Sequence, residues 1–488
     1  MSAYLYRVDD LRAIEQQAQA SLAPGTLMAR AGQAAAERIA SMQPSSRRGS
    51  FCVVCGPGNN GGDGFVIAAD LAARGQEGIC VLLGADRPTA TDANAAYKRW
   101  LAAGGNVLKA PPAEGRFDTV IDALFGIGLA RPLAGEFHAA ADWINRRESV
   151  VAVDVPSGLD ADTGAWVGDV PGIEATVTVT FIGDKPGLHT AAGADAAGIV
   201  YVEAIGTQPP ATEGILITPS DLAPMLRKRR RDSHKGTYGN VLIVGGGRGM
   251  VGAALLGGRA ALRLGAGRVY VELLGAPEFR VDPMQPELMF RALTDLTDLQ
   301  AIVVGCGLGV DTAARARLVD VLDRDTAIVI DADALNLIAA EADLGERVRQ
   351  RRAPTLLTPH PLEAARLLGC KAAEVQADRV DAARQLAQRY GAIALLKGAG
   401  SVIAAPDGRY AINPTGSPAL ATAGTGDVLA GMLGSLLAQG LGDWDAALAA
   451  TWLHGRAAED SGDAGLVAGE VAPRAADVLR RLRAGFSG

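Results

Sequence analysis

The second half of the chain contains ATAGTGDVLAGMLGSLL, at residues 421–437. Gly424 and Gly426 free the backbone just before an apolar run that predicts a buried helix. The first N–H groups of a helix have no intrahelical acceptor, so those of Gly424, Thr425 and Gly426 can form an anion hole. Asp427 lies in the first turn, beside the expected position of a bound phosphoryl group. The pattern predicts phosphoryl transfer, with a capped buried helix as the alternative.

Short apolar runs alternate with helical stretches on both sides of this segment. In the second half these runs are Val241–Val244, Val269–Leu273, Ala301–Val304, Ala327–Ile330, Thr355–Leu357 and Ile393–Leu396. In the first half they are Phe51–Cys55, Ile79–Leu83, Thr119–Leu124, Val150–Val155, Ala175–Phe181 and Ile199–Ala204. Continuous apolar strands between helices favour parallel sheets covered on both faces. The predicted fold class is therefore α/β, with two three-layer α/β/α domains in tandem.

The boundary between the domains is predicted from composition. Residues 206–215 read GTQPPATEGI, which is typical of a linker, so the domains are expected at 1–212 and 220–488. Residues 227–231 form the basic run RKRRR. In an acidic chain we interpret this run as a solvated face, or as a contact with an anionic ligand or a neighbouring subunit.

The bulk composition is typical of a globular protein. Of the 488 residues, 49% are hydrophobic and 21% are charged. The net charge of −7 argues against nucleic acid as a partner, because phosphate binding needs a basic face. The five cysteines suggest no disulfide framework, and Cys52 and Cys55 are predicted to be buried thiols. There is no secretion signal and no apolar run of about 18 residues, so we expect a cytoplasmic protein without a membrane partner.

A glycine-rich loop follows the first long strand, as GPGNNGGDG at residues 56–64. Its glycines let the backbone approach a ligand closely, and the next helix offers free N–H groups. The loop does not match the dinucleotide fingerprint, because Asn59, Asn60 and Asp63 add side-chain acceptors that a plain phosphate cradle does not need. Tight local geometry without a ligand is the alternative.

Two acids within apolar strands favour a ligand site. Asp122 leads into Gly126–Pro132, and Asp154 leads into the turn that contains Ser157. The carboxyl ends of strands are where open α/β sheets bind ligands, and a buried acid needs a partner. Oxygen atoms of Asn60, Asp122 and Ser157 would suit a hard cation, whether monovalent or divalent.

The motifs GPGNNGGDG, DALFGIG and DVPSG resemble the NAD(P)H-hydrate epimerase family, the YjeF N-terminal domain, over residues 1 to about 210. The resemblance implies a Rossmann-like fold, contact of Asn59, Asn60, Asp63 and Asp154 with the hydrated dinucleotide, and K⁺ on Asn60, Asp122 and Ser157. It also implies a phosphate-covering loop made of Gly126, Ile127, Gly128, Leu129, Ala130, Arg131 and Pro132. Lys185 falls on the family's late lysine. Because inversion at a hydroxyl-bearing carbon needs proton transfers, Asp154 and Lys185 are the expected catalytic pair, with a plain surface lysine as the alternative.

Other strand ends in the second half carry supporting motifs. Lys397–Ser401 suits a nucleotide loop, and His360 stands between two prolines at a strand end, which favours a ligand contact over a structural role. Gly305–Gly309 follows a third strand. Asp331 and Asp333 follow a fourth, where one of them would reach Mg²⁺ through water.

Together these motifs are similar to the ADP-dependent NAD(P)H-hydrate dehydratase family, over about 220 to 488, which implies a ribokinase-like fold. The resemblance implies hydrate contacts from Ala253, Gly309, His360 and Asp427. It implies adenine-nucleotide contacts from Lys397, Gly398, Ala399, Gly400, Ser401 and Gly426. Cys306 departs from the family's usual proline in G-P-G-L-G, which leaves that loop less stiff.

The two resemblances imply a two-step repair of hydrated NADH and NADPH. The first half would interconvert the R and S epimers. The second half would phosphorylate the hydroxyl of the S epimer from ADP, with Asp427 as base, and release AMP and phosphate. A homo-oligomer is expected. One alternative is a ribokinase-like kinase of a vitamin precursor fused to a non-catalytic binding domain. Another is a first half that serves only as a binding scaffold.

Overall fold

The computed structural model describes residues 3–42, 49–226 and 228–485. The chain divides into two compact units, one formed by Tyr4–Thr212 and the other beginning at Glu213. Each unit has a largely parallel sheet between helices, which confirms the predicted α/β class.

The first unit has a sheet in the order β4-β3-β2-β5-β6-β7-β8, with every neighbouring pair parallel. The strands in this part of the chain are β1 (Ala3–Leu5), β2 (Ser50–Cys55), β3 (Glu77–Leu82), β4 (Val107–Leu108), β5 (Thr119–Ala123), β6 (Val150–Val153), β7 (Val177–Phe181) and β8 (Ile199–Glu203). The helices are α1 (Val8–Gln19), α2 (Thr26–Met42), α3 (Asn59–Ala73), α4 (Thr91–Ala102), α5 (Glu136–Ile144) and α6 (Gly193–Ala196).

The strands of this sheet are apolar throughout because both of their faces are covered. Phe51 and Val53 pack into a core shared with α2, α3 and α4. Cys52 and Val54, which alternate with them, pack into a second core with α5. Successive side chains of a strand point to opposite faces, so an uninterrupted apolar run serves two cores at once. The buried free thiols of Cys52 and Cys55 confirm the interpretation of this pair.

The second unit has a longer sheet, in which the order β9-β18-β17-β16-β15-β14-β13-β10-β11-β12 is found. Its strands are β9 (Gly214–Leu216), β10 (Asn240–Gly245), β11 (Arg268–Leu273), β12 (Met289–Phe290), β13 (Ala301–Val304), β14 (Ala327–Ile330), β15 (Thr355–Leu357), β16 (Ile393–Leu396), β17 (Ser401–Ala404) and β18 (Tyr410–Asn413). Its helices are α7 (Pro219–Leu222), α8 (Val251–Arg263), α9 (Thr312–Leu322), α10 (Ala332–Ala340), α11 (Ala342–Arg349), α12 (Pro361–Leu368), α13 (Ala372–Ala377), α14 (Arg379–Tyr390), α15 (Thr425–Ala438), α16 (Asp443–Glu459) and α17 (Ala468–Gly485).

An antiparallel hairpin interrupts the parallel pattern of this sheet. β16 pairs antiparallel with β17, and β17 pairs antiparallel with β18. The four residues between β16 and β17 are too few for a parallel crossover, so the chain must turn back on itself. The predicted nucleotide segment Lys397–Ser401 is therefore a hairpin loop, and Ser401 is already the first residue of a strand.

The prediction of a linker at 206–215 is wrong for its last two residues, 214 and 215. Gly214–Leu216 form β9, which pairs in parallel with β18. The Pro-Pro and Thr-Glu-Gly composition concealed a three-residue strand, because so short an element shows no periodicity of its own.

Two glycines bring α8 and α15 into close contact. A Cβ added to Gly431 would lie 2.0 Å from the carbonyl oxygen of Gly257. Backbones that approach this closely leave no room for a side chain, which explains why the apolar run after Asp427 contains glycine. The contact holds the first turn of α15 at the carboxyl edge of the sheet.

The structure describes four residues of the basic run 227–231. In the basic run 227–231, Arg227 lies outside the described residues, and Arg229 stacks on Tyr238 with 3.6 Å between the guanidinium carbon and the ring centroid. Lys228, Arg230 and Arg231 are exposed. Among the described residues, none of the helices combines the length and the apolar character needed to cross a membrane.

Candidate active sites

A cavity of about 660 Å³ opens at the carboxyl edge of the first sheet. It is lined by the predicted residues Asn59, Asn60, Asp63, Gly126, Ile127, Gly128, Leu129, Asp154 and Lys185. This volume lies in the usual range for small-molecule sites, roughly 300–1,000 Å³. The end of the predicted phosphate loop differs: Ala130, Arg131 and Pro132 are exposed and are not among the residues that line the cavity.

A buried ion pair forms the centre of this cavity. Lys185 Nζ lies 2.9 Å from Asp154 Oδ1, and the Lys185 side chain is only 1% exposed. The ammonium also donates to the hydroxyl of Thr180 and to the carbonyl oxygens of Phe181 and Gly183. Lys185 is therefore not a surface lysine but a buried residue in the wall of the cavity.

Asp154 faces the cavity through an unusual backbone. Its φ is 71°, in the left-handed region that non-glycine residues rarely adopt outside functional sites. Its Oδ2 accepts a hydrogen bond of 3.3 Å from the N–H of Ile127. A Cβ on Gly126 would lie 2.7 Å from this oxygen and 3.2 Å from Asn60 Oδ1. Only glycine at 126 leaves both polar groups open to a ligand.

Two further carboxyl groups belong to the same cavity. Burial and the neighbouring Asp154 and Glu15 carboxylates raise the pKa of Asp63 well above its usual range. Burial and Asp154 also raise the pKa of Glu15. Sequence reasoning missed Glu15, although it lies one turn after Leu11 on the buried side of α1. An acid beside the apolar stripe of a helix was the available signal.

Asp122 and Ser157 form a buried cluster of oxygen atoms next to this cavity. The Ser157 hydroxyl donates to Asp122 Oδ1 at 2.7 Å, and the Ser157 N–H donates to Asp122 Oδ2 at 2.8 Å. Desolvation by burial raises the pKa of Asp122 to about 6, against the opposing effect of these hydrogen bonds. Asn60 Nδ2 is buried and without a hydrogen-bond partner. The donor set is made of hard oxygen atoms, and the Asp122 carboxylate has no ion-pair partner within the described ranges.

The second site is built on the first turn of α15. Gly424 precedes the helix with a φ of 91°, in the left-handed region that favours glycine. Thr425 Oγ1 donates to Leu420 O at 3.0 Å and to Thr422 O at 3.1 Å, so this hydroxyl holds the loop. Desolvation and the nearby Asp331 carboxylate raise the pKa of Asp427 to about 6.

A second ion pair, with a buried carboxylate and a partly exposed ammonium, lies near Asp427. Lys397 Nζ is 2.7 Å from Asp331 Oδ1, and Thr358 Oγ1 donates to the same oxygen at 2.8 Å. Burial alone would lower the pKa of Lys397, but the carboxylates of Asp331 and Glu363 outweigh it, so the pKa is raised. A Cβ on Gly426 would lie 3.4 Å from Lys397 Nζ. The ammonium of this predicted nucleotide residue thus lies close to the predicted anion hole.

The rest of the predicted nucleotide loop is supported from behind by Arg379. This buried guanidinium donates to Leu396 O at 3.3 Å and to Lys397 O at 3.2 Å. Gly398 has a φ of 144°, and a Cβ there would lie 2.8 Å from Arg379 Nη2. Sequence reasoning missed Arg379, because an arginine at a helix start ordinarily indicates an exposed position.

The loop Gly305–Gly309 is held by the acid pair that follows β14. The N–H of Gly309 donates to Asp333 Oδ2 at 2.8 Å. A Cβ on Gly307 would lie 3.2 Å from the Cβ of Ala253, so the predicted hydrate contacts Ala253 and Gly309 come from adjacent segments. Cys306 is fully buried in this loop.

Two histidines of the second domain bond to the backbone of a helix start. His360 caps α12, where its Nδ1 accepts from Leu362 N at 3.1 Å and its Nε2 lies 3.3 Å from Glu363 Oε1. The ring is about half exposed, so one edge stays open to a ligand. His454, which the sequence analysis did not single out, is buried with Nε2 3.0 Å from Thr425 O. Desolvation lowers the pKa of His454 to about 4, so it stays neutral and supports the Gly424–Asp427 turn as a donor.

Two protein families match the chain in tandem. The family described as NAD(P)H-hydrate dehydratase matches residues 241–481, and the family described as YjeF-related protein N-terminus matches residues 24–187. The bifunctional NAD(P)H-hydrate repair enzyme Nnr of Escherichia coli (strain K12) is 39% identical over 472 residues, which cover 93% of this chain and 89% of that protein.

Solved structures match the second half. A ribokinase-like superfamily protein from Enterococcus faecalis V583 has a TM-score of 0.50 and 24% identity, covering 56% of this chain and 98% of its own. This similarity confirms the ribokinase-like fold. The ADP/ATP-dependent NAD(P)H-hydrate dehydratase from Bacillus subtilis, co-crystallised with ATP and Mg²⁺, is 33% identical with a TM-score of 0.48, covering 56% of this chain and 98% of its own.

The Lys185–Asp154 pair predicts an asymmetric effect on stability. Lys185→Met leaves the Asp154 carboxylate without its cation, and we expect the free energy of unfolding of the first domain to fall by about 3 kcal/mol. The double variant Asp154→Asn/Lys185→Met removes both charges, so its free energy of unfolding should fall by less. Urea titration followed by hydrogen exchange of peptides covering 150–185 measures both losses. A double variant that is less stable than Lys185→Met would contradict the pairing.

Proposed function

This chain belongs to the family of bifunctional NAD(P)H-hydrate repair enzymes, and we propose from that membership that it restores hydrated NADH and NADPH in two steps. The first domain epimerises the R and S hydrates, and the second dehydrates the S hydrate with ADP, giving AMP and phosphate. The single observation that carries the proposal is the base Asp427 at the anion-hole turn, in a chain whose other domain carries the Asp154–Lys185 pair. The full-length relative favours repair over a vitamin-precursor kinase fused to a binding domain.

In the epimerase reaction, Lys185 and Asp154 transfer protons at the hydroxyl-bearing ring carbon. Lys185 Nζ gives a proton to the departing hydroxyl while the adjacent ring nitrogen forms an iminium, so water leaves. Water then adds to the opposite face, and its proton goes to Asp154. The distance of 2.9 Å between the two groups lets the proton return to Lys185 for the next turnover. Asn59, Asn60 and Asp63 bind the hydrate, and Gly126–Leu129 lie against it.

Asn60, Asp122 and Ser157 would hold K⁺ in this domain. The fit rests on the buried Asp122 carboxylate, whose pKa is raised to about 6 by desolvation, and on the Ser157 hydroxyl bonded to it. Such hard donors suit a hard cation. When bound, the cation supplies positive charge that keeps Asp122 ionised, while Asp122 in turn fixes the Phe125 backbone through Ser157 Oγ.

In the dehydratase reaction, Asp427 accepts the proton of the hydrate's hydroxyl as its oxygen attacks the terminal phosphorus of ADP. AMP leaves, and the Gly424, Thr425 and Gly426 N–H groups stabilise the developing charge. The ring nitrogen then expels phosphate, and loss of a ring proton restores the nicotinamide double bond. Ala253, Gly309 and His360 contact the hydrate.

The nucleotide binds at the hairpin loop. Lys397 supplies charge to the phosphates, and Gly398, Ala399, Gly400, Ser401 and Gly426 surround ADP. Mg²⁺ would be reached through water by Asp331 or Asp333, and it supplies charge neutralisation on the phosphates when bound. A cytoplasmic location and a homo-oligomeric state stay predictions.

Reciprocal variants test the division of labour between the domains. Asp427→Asn removes the base, so we expect dehydration to fall by about 10²- to 10⁴-fold while epimerisation is unchanged. Asp154→Ala should lower epimerisation and leave dehydration of the S hydrate unchanged. The assay supplies ADP and each separated epimer, follows dehydration by the near-ultraviolet absorbance of the reduced nicotinamide, and follows epimerisation by separating the R and S hydrates. Unchanged epimerisation in Asp154→Ala would refute the first assignment, and unchanged dehydration in Asp427→Asn the second.

The pH dependence of dehydration tests the role of Asp427 as base. Its folded-state pKa is raised to about 6, so the carboxylate is lost as pH falls through that value. We expect kcat/KM for the S hydrate to fall about ten-fold per pH unit below about pH 6. A profile that stays flat down to pH 4 would contradict this role.

Potassium dependence tests the Asp122 site. K⁺ that binds only the folded first domain should raise its unfolding temperature, most clearly above pH 6 where Asp122 is ionised. Thermal unfolding in potassium chloride is compared with tetramethylammonium chloride at equal ionic strength. Ser157→Ala and Asp122→Asn should lose the difference. An equal rise in both variants and in the unaltered protein would exclude this site.

A further inference from the structure

Three potential metal ligands converge in the second domain. Cys306 follows β13, Asp331 follows β14 and Asp427 lies in the first turn of α15. One ligand atom from each residue lies within 4.8 Å of the other two. Among the described residues, this is the one group of three such side chains that could hold a metal ion. The carboxyl edge of the sheet thus brings together a thiol and two carboxylates from three distant segments.

The donor atoms of this cluster are available to a ligand. Lys397 and Thr358 both bond to the same oxygen of Asp331, Oδ1. The other oxygen, Oδ2, faces Gly426, where an added Cβ would lie 3.9 Å away. Cys306 is fully buried, and its thiol is hydrogen-bonded to Asp427. A cation can therefore replace the thiol proton without breaking the Lys397–Asp331 pair.

The charge of the cluster favours such an exchange. With both acids ionised and Lys397 as the one ammonium beside them, the cluster carries one excess negative charge. Asp333 and Glu363, which also face it, add to that excess. A divalent cation that displaces one thiol proton makes the three ligands and Lys397 neutral together.

The donor set selects the class of metal. Thiolate and carboxylate ligands together suit Zn²⁺ and Cd²⁺, whereas Mg²⁺ takes oxygen ligands only. We propose that Cys306, Asp331 and Asp427 form a binding site for a zinc-class divalent cation, and that a cation bound there stops dehydration because it takes the carboxylate of the base. Binding replaces the Cys306 S–H bond by a sulfur–metal bond and releases the proton to solvent. The inhibitory part rests on the proposed function of Asp427.

The first experiment measures inhibition in the full-length chain. Buffered Zn²⁺ is titrated at fixed ADP and Mg²⁺, and dehydration and epimerisation are measured in the same samples. We expect Zn²⁺ to stop dehydration and to spare epimerisation. Cys306→Ala should need at least about ten-fold more Zn²⁺ for the same inhibition. Losing a residue that only hydrogen-bonds to a metal ligand weakens metal binding by about 10- to 100-fold, and losing a ligand itself should weaken it more. Cys370→Ala, which removes a partly exposed thiol of the same domain, should behave like the unaltered chain.

The second experiment measures binding without activity. Cd²⁺ bound to a thiolate adds ultraviolet charge-transfer absorbance, which should be present in the unaltered chain and in Cys370→Ala and reduced in Cys306→Ala. Binding of ADP by Cys306→Ala verifies that this variant is folded. Equal absorbance and equal Zn²⁺ sensitivity in all three proteins would overturn the proposal. Cys306-dependent absorbance in a chain that dehydrates nothing would instead support the metal site and refute the proposed function.

Discussion

A lysine–aspartate ion pair, in which one partner is buried and the other is partly exposed, organises each domain at the carboxyl edge of its sheet. Lys185 pairs with Asp154 at 2.9 Å in the first domain, and Lys397 pairs with Asp331 at 2.7 Å in the second. Taking either charge out of water alone costs several kcal/mol, so neither side chain can be buried without its partner. Such pairs add little net stability, but they fix proton donors and acceptors where a ligand arrives.

Glycine beside each pair leaves room for that ligand. A Cβ on Gly126 would lie 2.7 Å from Asp154 Oδ2, and a Cβ on Gly426 would lie 3.4 Å from Lys397 Nζ. Both domains therefore use the same construction, in which a charged pair stands against bare backbone at the end of a parallel strand. They differ in the third component. The first domain adds further acids to a cavity, whereas the second adds a helix start whose N–H groups suit a phosphoryl group.

Much of the fold could be predicted from local sequence patterns, and the elements that this prediction missed were missed for physical reasons. The long apolar strands were predicted within one or two residues, since burial on both faces leaves an unbroken apolar run. The strands Gly214–Leu216, Ser401–Ala404 and Tyr410–Asn413 were missed. They lie beside turn-forming residues, such as Gly400 and Pro414, and their pairing partners, not their own composition, make them strands. Arg379 and His454 were missed because a single polar residue within a helix gives no sign of what it faces.

The sequence by itself determined the strand, glycine-turn and helix units, the family resemblances, and the residue types at each strand end. These features depend on neighbours in the chain, through side-chain alternation, backbone freedom at glycine and unpaired N–H groups at helix starts. Only the tertiary structure decided which charges pair, that Glu15 enters the first cavity, and that Cys306 meets Asp331 and Asp427. The reason is that parallel crossovers bring distant strand ends together at one edge, and no local pattern records which side chains then meet.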